Sequence, residues 1–425
     1  MNDNDRSIVG FTMVGHAMVH TYELSIPILM TIWLLEFGTT EAVLGIAVAI
    51  GYGLFGVGAL PGGILVDKYG SRALISACLA GMGVSFLLLS IADGILSISL
   101  ALAVWGIAAS VYHPAGLTLI SNGVTEHGRA FGYHGMAGNV GIALGPLVTA
   151  LLLLAFDWRF VAGVLAVPAL IAAIVGVFIS FDETAAVGTG GGREFTSKGR
   201  SIADVVGDTR RLFTIAFLTV FVVVALNGLY YRGMLTFLPD LLGGFLETAI
   251  GDVEPGVFDP ESPLAEAFDL AQYLYAGLLM VGIGGQYVGG RLVDSIEPDR
   301  GLVIMLSVLT VIALVFAPVA SAGLWQLVLM SVALGFSLFA MQPLTQATIA
   351  KYSPPKARGI SFGYTYLAIF GIGALGAAIV GTVLTHAPSV SYVFVVLAVF
   401  AATGGLLATT LSRRRPPTPR ADPAD

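Results

Sequence analysis

Gly62-Gly63-Ile64-Leu65-Val66-Asp67 and Gly289-Gly290-Arg291-Leu292-Val293-Asp294 read GGILVD and GGRLVD, 227 residues apart. Each closes a long glycine-rich apolar segment and ends on an acid. The match extends along the chain. Gly106 to Pro114 (GIAASVYHP) aligns with Gly335 to Pro343 (GFSLFAMQP) at an offset of 229, and Arg129 to Tyr133 (RAFGY) with Arg358 to Tyr364 (RGISFGY). Tyr22-Glu23 aligns with Tyr231-Arg232 at an offset of 209. The chain is therefore two copies of one unit, and a long acidic loop in the second copy takes up the growth in offset.

The composition names the solvent. Of 425 residues, 56% are hydrophobic and 11% charged, and the mean hydropathy is +0.88. A soluble domain carries roughly 25% charged residues, so most of this surface faces lipid. A spanning helix needs about 20 apolar residues. Twelve such segments occur: 8–35, 41–66, 73–92, 95–120, 130–155, 160–181, 212–243, 270–293, 301–320, 323–350, 359–385 and 390–412. They are expected to be helices, because hydrocarbon offers the backbone no other partners within one segment; a barrel would show short alternating segments instead. The expectation is an all-α membrane protein of twelve transmembrane helices in two pseudo-symmetric six-helix bundles. Residues 1–181 form the first bundle, 182–211 a linker, 212–412 the second bundle and 413–425 a tail. Seven polar residues precede the first segment and no Ala-x-Ala site follows it, so a cleaved signal peptide is not expected.

The bases set the orientation. Eighteen of the 20 Lys and Arg lie in the N-terminal tail, the even-to-odd loops or the C-terminal tail. Arg159 alone falls in an odd-to-even loop, and Arg232 falls inside span 7. Positive charge is retained on the cytoplasmic side, so both termini are expected there, in a multi-pass protein of the cell membrane.

The loop from Asp240 to Asp269 is the opposite case, with eight acids and no base. It reads either as surface solvation in salt or as a cation-collecting vestibule. The linker holds Gly188-Thr189-Gly190-Gly191-Gly192 and five bases, a flexible composition that lets two bundles move against each other. No Lys-Ser/Thr follows the glycines, so no nucleotide site is expected. Ile202 to Asp208 fits a short amphipathic helix, and Arg413-Arg414-Arg415 a lipid-headgroup anchor. The single cysteine, Cys78, reads as a packing residue, and no Cys/His metal spacing runs along the chain. No metal, cofactor or nucleic-acid partner is expected, and the chain is expected to be a monomer.

Spans 2, 5, 8 and 11 hold 24 of the 54 glycines. Small residues let membrane helices approach closely. Gly132, Gly135, Gly138, Gly141 and Gly145 make one stripe on span 5. These helices are candidates either for a sliding interface between the halves or for ordinary packing within each bundle.

Gly63-Ile64-Leu65-Val66-Asp67-Lys68-Tyr69-Gly70-Ser71-Arg72 resembles the signature between the second and third helices of the major facilitator superfamily. The second copy keeps Gly290 and Asp294 and loses the base-x-Gly that follows. Twelve spans, a central loop and a two-fold repeat resemble that superfamily over the whole chain. Tyr112-His113-Pro114-Ala115 in span 4 and Gly138 to Pro146 (GNVGIALGP) in span 5 are similar to the fosmidomycin-resistance group of exporters. The second of these also resembles the antiporter motif of drug–proton exchangers, with Thr149-Ala150 in place of its final glycine pair. The resemblance implies a conformational latch at Gly63, Asp67, Lys68, Gly70, Arg72, Gly290 and Asp294, with Arg129 or a helix N-terminus as partner of Asp67.

Charges inside lipid are costly and need a reason. His16, His20, Glu23 and Pro27 recur at steps of four, three and four, so they share one helical face. Glu23 with His20 is a candidate proton-coupling pair; the plainer reading is a structural ion pair. Arg232 either anchors an anionic substrate through its planar fork or neutralises Glu23 across the bundles. His113 and Gln342 are repeat mates, each just before a proline, and Gln346 lies one turn on. With Asn139 and Tyr231 they are candidates for a polar cavity; His134, Tyr230, Tyr364 and Tyr366 are weaker ones. No catalytic constellation is present, so an enzyme is not expected. The expected function is secondary transport of a small organic solute by alternating access, as proton-coupled export of a drug-like compound. Proton-coupled uptake of an organic anion is the alternative, and a non-transporting membrane sensor on the same fold a third reading.

Overall fold

The structure is a computed structural model that describes residues 1–186, 207, 209–251, 269–353 and 358–413, without the side chains of Asp67, His127, Arg358, Ile360 and Phe362. Most of the linker, the helix expected at Ile202 to Asp208, the acids from Asp252 to Glu266 and the tail beyond Arg413 lie outside these residues.

Every expected segment is helical. Span 1 is Asp3–Glu36, started by Asn2, whose side chain accepts from the Asp5 backbone N–H at 2.8 Å. An N-cap of this kind satisfies one of the donors a helix start leaves orphaned. Span 7 begins on a similar cap at Thr214 and continues past its apolar stretch, as Ile215–Ile250. Spans 2 and 4 are each two helices, Glu41–Val57 with Ala59–Tyr69 and Ile95–Ser110 with Tyr112–Gly123. Gly70 ends span 2 with φ +80°, a backbone that favours glycine.

Eleven helices among the described residues are long and apolar enough to cross a membrane. Span 8, Leu270–Ser295, is helical too but is not one of those eleven. Span 11 departs from regular helix. Arg358–Tyr366 leads into a π-helical turn, Leu367–Ile372, and then Leu375–His386. The Gly373 N–H bonds to the Ala368 carbonyl, five residues back, at 3.0 Å. The wide turn holds no proline; it carries glycines at 371 and 373.

The duplication is visible in the packing. In the first half span 1 packs on span 5, 2 on 4, 3 on 4 and 3 on 6. In the second half 7 packs on 11, 8 on 10, 9 on 10 and 9 on 12. The halves meet through span 2 against 11, span 5 against 8 and span 1 against 7.

The glycines make close contacts both within the bundles and between them. A Cβ on Gly141 would sit 2.2 Å from the Ala17 carbonyl of span 1, and one on Gly285 would sit 2.1 Å from the Phe336 carbonyl of span 10. Those contacts lie within a bundle. A Cβ on Gly45 would meet the Ala377 carbonyl at 2.6 Å, and one on Gly381 the Glu41 carbonyl at 2.2 Å. Those contacts join the bundles, at the end of the molecule away from the termini. Thr385 fastens the same end: its hydroxyl accepts from the Ala42 N–H at 2.9 Å and donates to the Glu41 carboxylate at 3.2 Å. Tyr273 of span 8 also reaches the Ala150 carbonyl of span 5, at 3.4 Å.

The end that bears the termini is different. From Phe131 to Met136, every residue of span 5 except His134 is exposed. Beyond that, exposure narrows to one stripe, Val140, Leu144 and Val148, at steps of four. The facing part of span 8 is exposed at Ile283, Gly284, Tyr287 and Val288. Spans 5 and 8 are thus joined at the far end and uncovered towards the termini.

Candidate functional site

The polar centre sits where spans 1, 2, 4, 5, 7 and 11 converge. Glu23 and Arg232, both almost fully buried, form an ion pair between Arg232 Nη2 and Glu23 Oε1. This contact is the one the neutralising reading of Arg232 expects. The guanidinium carbon lies 3.9 Å from the Tyr52 ring centre, 5.3 Å from that of Phe370 and 5.6 Å from that of Tyr231. An aromatic face attracts a desolvated cation. Arg232 Nε is buried and has no hydrogen-bond partner. Tyr52 Oη donates to the Glu23 backbone carbonyl at 2.9 Å.

The second carboxylate oxygen of Glu23 accepts from His20 Nδ1 at 2.6 Å. His20 Nε2 faces His16 Nε2 at 3.2 Å, and His16 Nδ1 donates to the His134 carbonyl at 2.7 Å. The His16 ring stacks on His134 at 3.9 Å and meets His113 edge-on at 5.3 Å. Four of the six histidines thus gather in one cluster. The Gly138 side of span 5 makes room: a Cβ there would lie 2.5 Å from His16 Cε1. Tyr112 closes the base of the cluster, donating to the Thr12 carbonyl and lying 3.2 Å from His134 Nε2.

His113 is buried, its Nε2 has no partner, and its ring stacks on Tyr366 at 5.2 Å. One ring nitrogen from each of His16, His20 and His113 lies within 4.8 Å of the other two. The expectation that the chain offers no metal-type grouping came from spacing along the sequence. It missed this group because the third imidazole comes from another helix.

The remaining candidates spread outward. Gln342 accepts from Gln286 Nε2 of span 8 at 2.6 Å, a tie within the second bundle. Asn139 is half-buried on span 5, Tyr231 is half-buried beside Arg232, and Gln346 is exposed. The latch residues lie apart, at the end bearing the termini. Lys68 is exposed, with Nζ 5.0 Å from the Tyr69 ring. Gly63 and Gly290 have open space where a side chain would stand, and Asp294 is exposed. Arg72 donates to the Ile179 carbonyl at 2.7 Å. The Asp67 side chain lies outside the described residues, but both of its expected partners are described. Arg129 pairs with Glu126 at 3.0 Å. The acid at the start of span 3 is Glu183, which accepts from the Ser71 and Arg72 N–H groups at 2.8 and 3.3 Å.

Tyr52, Gln286 and Phe370 were not singled out from the sequence, and Tyr112 only as part of the motif Tyr112 to Ala115. A signal existed for Tyr52: it stands between Gly51 and Gly53, a polar aromatic in the middle of a glycine-rich span. Phe370 is turned to the site by the π-helical turn, which nothing in the apolar run of span 11 announces.

A family model described as Major Facilitator Superfamily matches residues 12–363 and, in a second match, 260–425. The puromycin resistance protein pur8 of Streptomyces alboniger is 36% identical over 121 residues, 28% of this chain. That match spans 24% of the relative's length. A bacterial homologue of the human lysosomal transporter Spinster, solved inward-facing and unoccupied, superposes with a TM-score of 0.72 at 14% identity, covering 97% of this chain and 98% of its own. A nucleoside transporter, NupG, superposes with a TM-score of 0.72 at 12% identity, covering 96% and 100%. At these identities the two structures speak for the fold alone.

Proposed function

The chain belongs to the major facilitator superfamily, and from that premise we propose that it exports a small organic compound of drug or antibiotic type in exchange for protons. It is a transporter and not an enzyme. In this reading it works as a monomer in the lipid bilayer of the cell membrane, with both termini in the cytoplasm.

One observation carries the mechanism: the buried Glu23–Arg232 pair joins span 1 to span 7, and so one bundle to the other. Alternating access rocks two bundles about a central site, and a charge pair across that site acts as its catch. A proton delivered to Glu23 through His20, which is half-buried and hydrogen-bonded to it, removes the charge that holds Arg232. The freed guanidinium then changes partner as the bundles rock. His113, Asn139, Tyr231, Gln342 and Gln346 line the path on this account. Gly63, Asp67, Lys68, Gly70, Arg72, Arg129, Gly290 and Asp294 act at the cytoplasmic end as the latch.

The direction is supported by one fact: the partial relative is a resistance protein. Spans 5 and 8 are uncovered at the end bearing the termini, a state through which import and export both pass. A second reading, uptake of an organic anion, is favoured by the unpartnered Nε of Arg232. The test uses an efflux-deficient host and a panel containing puromycin and organic anions. Export predicts that the chain raises the tolerated dose of at least one antibiotic and lowers its accumulation, an effect abolished by collapsing the proton gradient. Unchanged accumulation of every antibiotic, with gain of an anion, would replace export by uptake.

A further inference from the structure

We propose that His16, His20 and His113 form a binding site for a late first-row divalent cation, of the Zn²⁺ or Co²⁺ class, at the centre of the molecule. The inference goes beyond the export reading and stands without it.

The His134 carbonyl only accepts, so the His16 Nδ1 that faces it at 2.7 Å carries the hydrogen. The Glu23 carboxylate, already paired with Arg232, accepts from His20 Nδ1 at 2.6 Å. With each Nδ1 carrying a hydrogen, the uncharged form of each ring presents a bare Nε2 lone pair, and the two Nε2 atoms face each other at 3.2 Å. Two lone pairs in that position repel. A cation between them removes the conflict.

The spacing suits a metal. Zinc–imidazole bonds of about 2.0–2.1 Å set tetrahedral ligands about 3.3–3.4 Å apart, close to the observed 3.2 Å. His113 supplies the third nitrogen. It lies within 4.8 Å of the other two, so a ring shift of at most about 1.5 Å brings it to ligating distance. Its Nε2 is buried without a hydrogen bond. A proton shared by His16 and His20 would satisfy that pair and leave His113 unexplained; a metal accounts for all three.

The outer partners fit as well. Ligating histidines characteristically donate their other N–H to a carbonyl or carboxylate, which orients the ring and raises its basicity. His16 and His20 do so here. Three imidazoles favour zinc, copper, nickel or cobalt over the oxygen-seeking magnesium and calcium. His16 and His20 are half-buried rather than sealed, and three protein ligands leave a fourth position open, as in exchangeable zinc sites.

The test uses the full chain in detergent, without a histidine tag, stripped by a chelator. Cobalt titration is followed by visible absorption, then by displacement with zinc. One ion per chain is expected, with the intense bands of a four-coordinate nitrogen site. His16→Gln, His20→Gln and His113→Gln should each weaken binding at least about 10-fold, whereas His386→Gln, at an exposed position outside the cluster, leaves it unchanged. A second arm needs no variant: bound zinc should shield His16 and His20 from carbethoxylation, mapped by mass spectrometry, while His386 stays reactive. No bound ion, binding unmoved by the three substitutions, or no shielding in the native chain would each overturn the site.

Discussion

At the scale of the residue, Glu23 and Arg232 decide how the two halves hold together. Removing one partner of a buried ion pair costs about 3–5 kcal/mol, because the other charge is left uncompensated; replacing both costs far less. Arg232→Ala and Glu23→Gln are therefore each expected to lower the thermal unfolding midpoint in detergent sharply. The double variant Glu23→Gln with Arg232→Gln should recover most of the loss. Additive losses in the double variant would mean that the two side chains stabilise the fold independently. Tyr52 offers a smaller test of the same centre. Its ring lies under the guanidinium and its hydroxyl donates to the Glu23 carbonyl. Tyr52→Phe keeps the ring and should cost about 1 kcal/mol. Tyr52→Leu loses the cation–π contact as well and should cost about 1–2 kcal/mol more; equal stabilities of the two would remove the ring from the account.

At the scale of the element, the glycines and the π-helical turn set what can approach what. Gly45 and Gly381 bring span 2 and span 11 into backbone contact at the far end. Gly381→Val places atoms where the Glu41 carbonyl stands, so it should pry that end apart. A cysteine placed at Ala42 should then react with a membrane-impermeant maleimide faster than in the parent, where Cys78 is buried and silent. An unchanged rate would show that the contact does not hold the end closed. This scale also shows what the sequence discloses. The helices were legible: each expected segment is helical among the described residues, and eleven are long and apolar enough to cross a membrane, because a run of about 20 apolar residues admits no other structure in lipid. The repeat named the helix pairs that would pack alike. The Glu23–Arg232 pairing was within reach, since each is the deep charge of its half. The histidine cluster was only half legible. His16 and His20 share a face that periodicity reveals, but His113 and His134 join them through the angles at which spans 4 and 5 cross span 1. One contact was not legible: Glu183, just beyond span 6, occupies the start of span 3, a tertiary choice that local spacing does not encode.

At the scale of the whole molecule, the charge pattern and the packing tell one story. The single base in an odd-to-even loop, Arg159, is tied to Glu36 at 2.7 Å and to the Ala92 carbonyl at 3.0 Å. It serves as a structural fastener there, which explains why it departs from the distribution of the other loop bases. Spans 2 and 11 are joined at the far end, and spans 5 and 8 are uncovered towards the termini. A disulfide between cysteines placed at Ala42 and Thr385, whose N–H and hydroxyl are 2.9 Å apart, should hold that arrangement. Oxidation is expected to stop transport and a reductant to restore it; transport that continues in the oxidised form would show that the far end need not open. The central claim is that a proton reaching Glu23 releases the catch between the bundles. Its most direct test is counterflow in proteoliposomes with an imposed proton gradient, using the compound whose accumulation the chain lowers in cells. Gradient-driven accumulation is expected from the native chain and none from Glu23→Gln, even where that variant still binds the compound; gradient-driven accumulation by Glu23→Gln at the native rate would rule out Glu23 as the proton site.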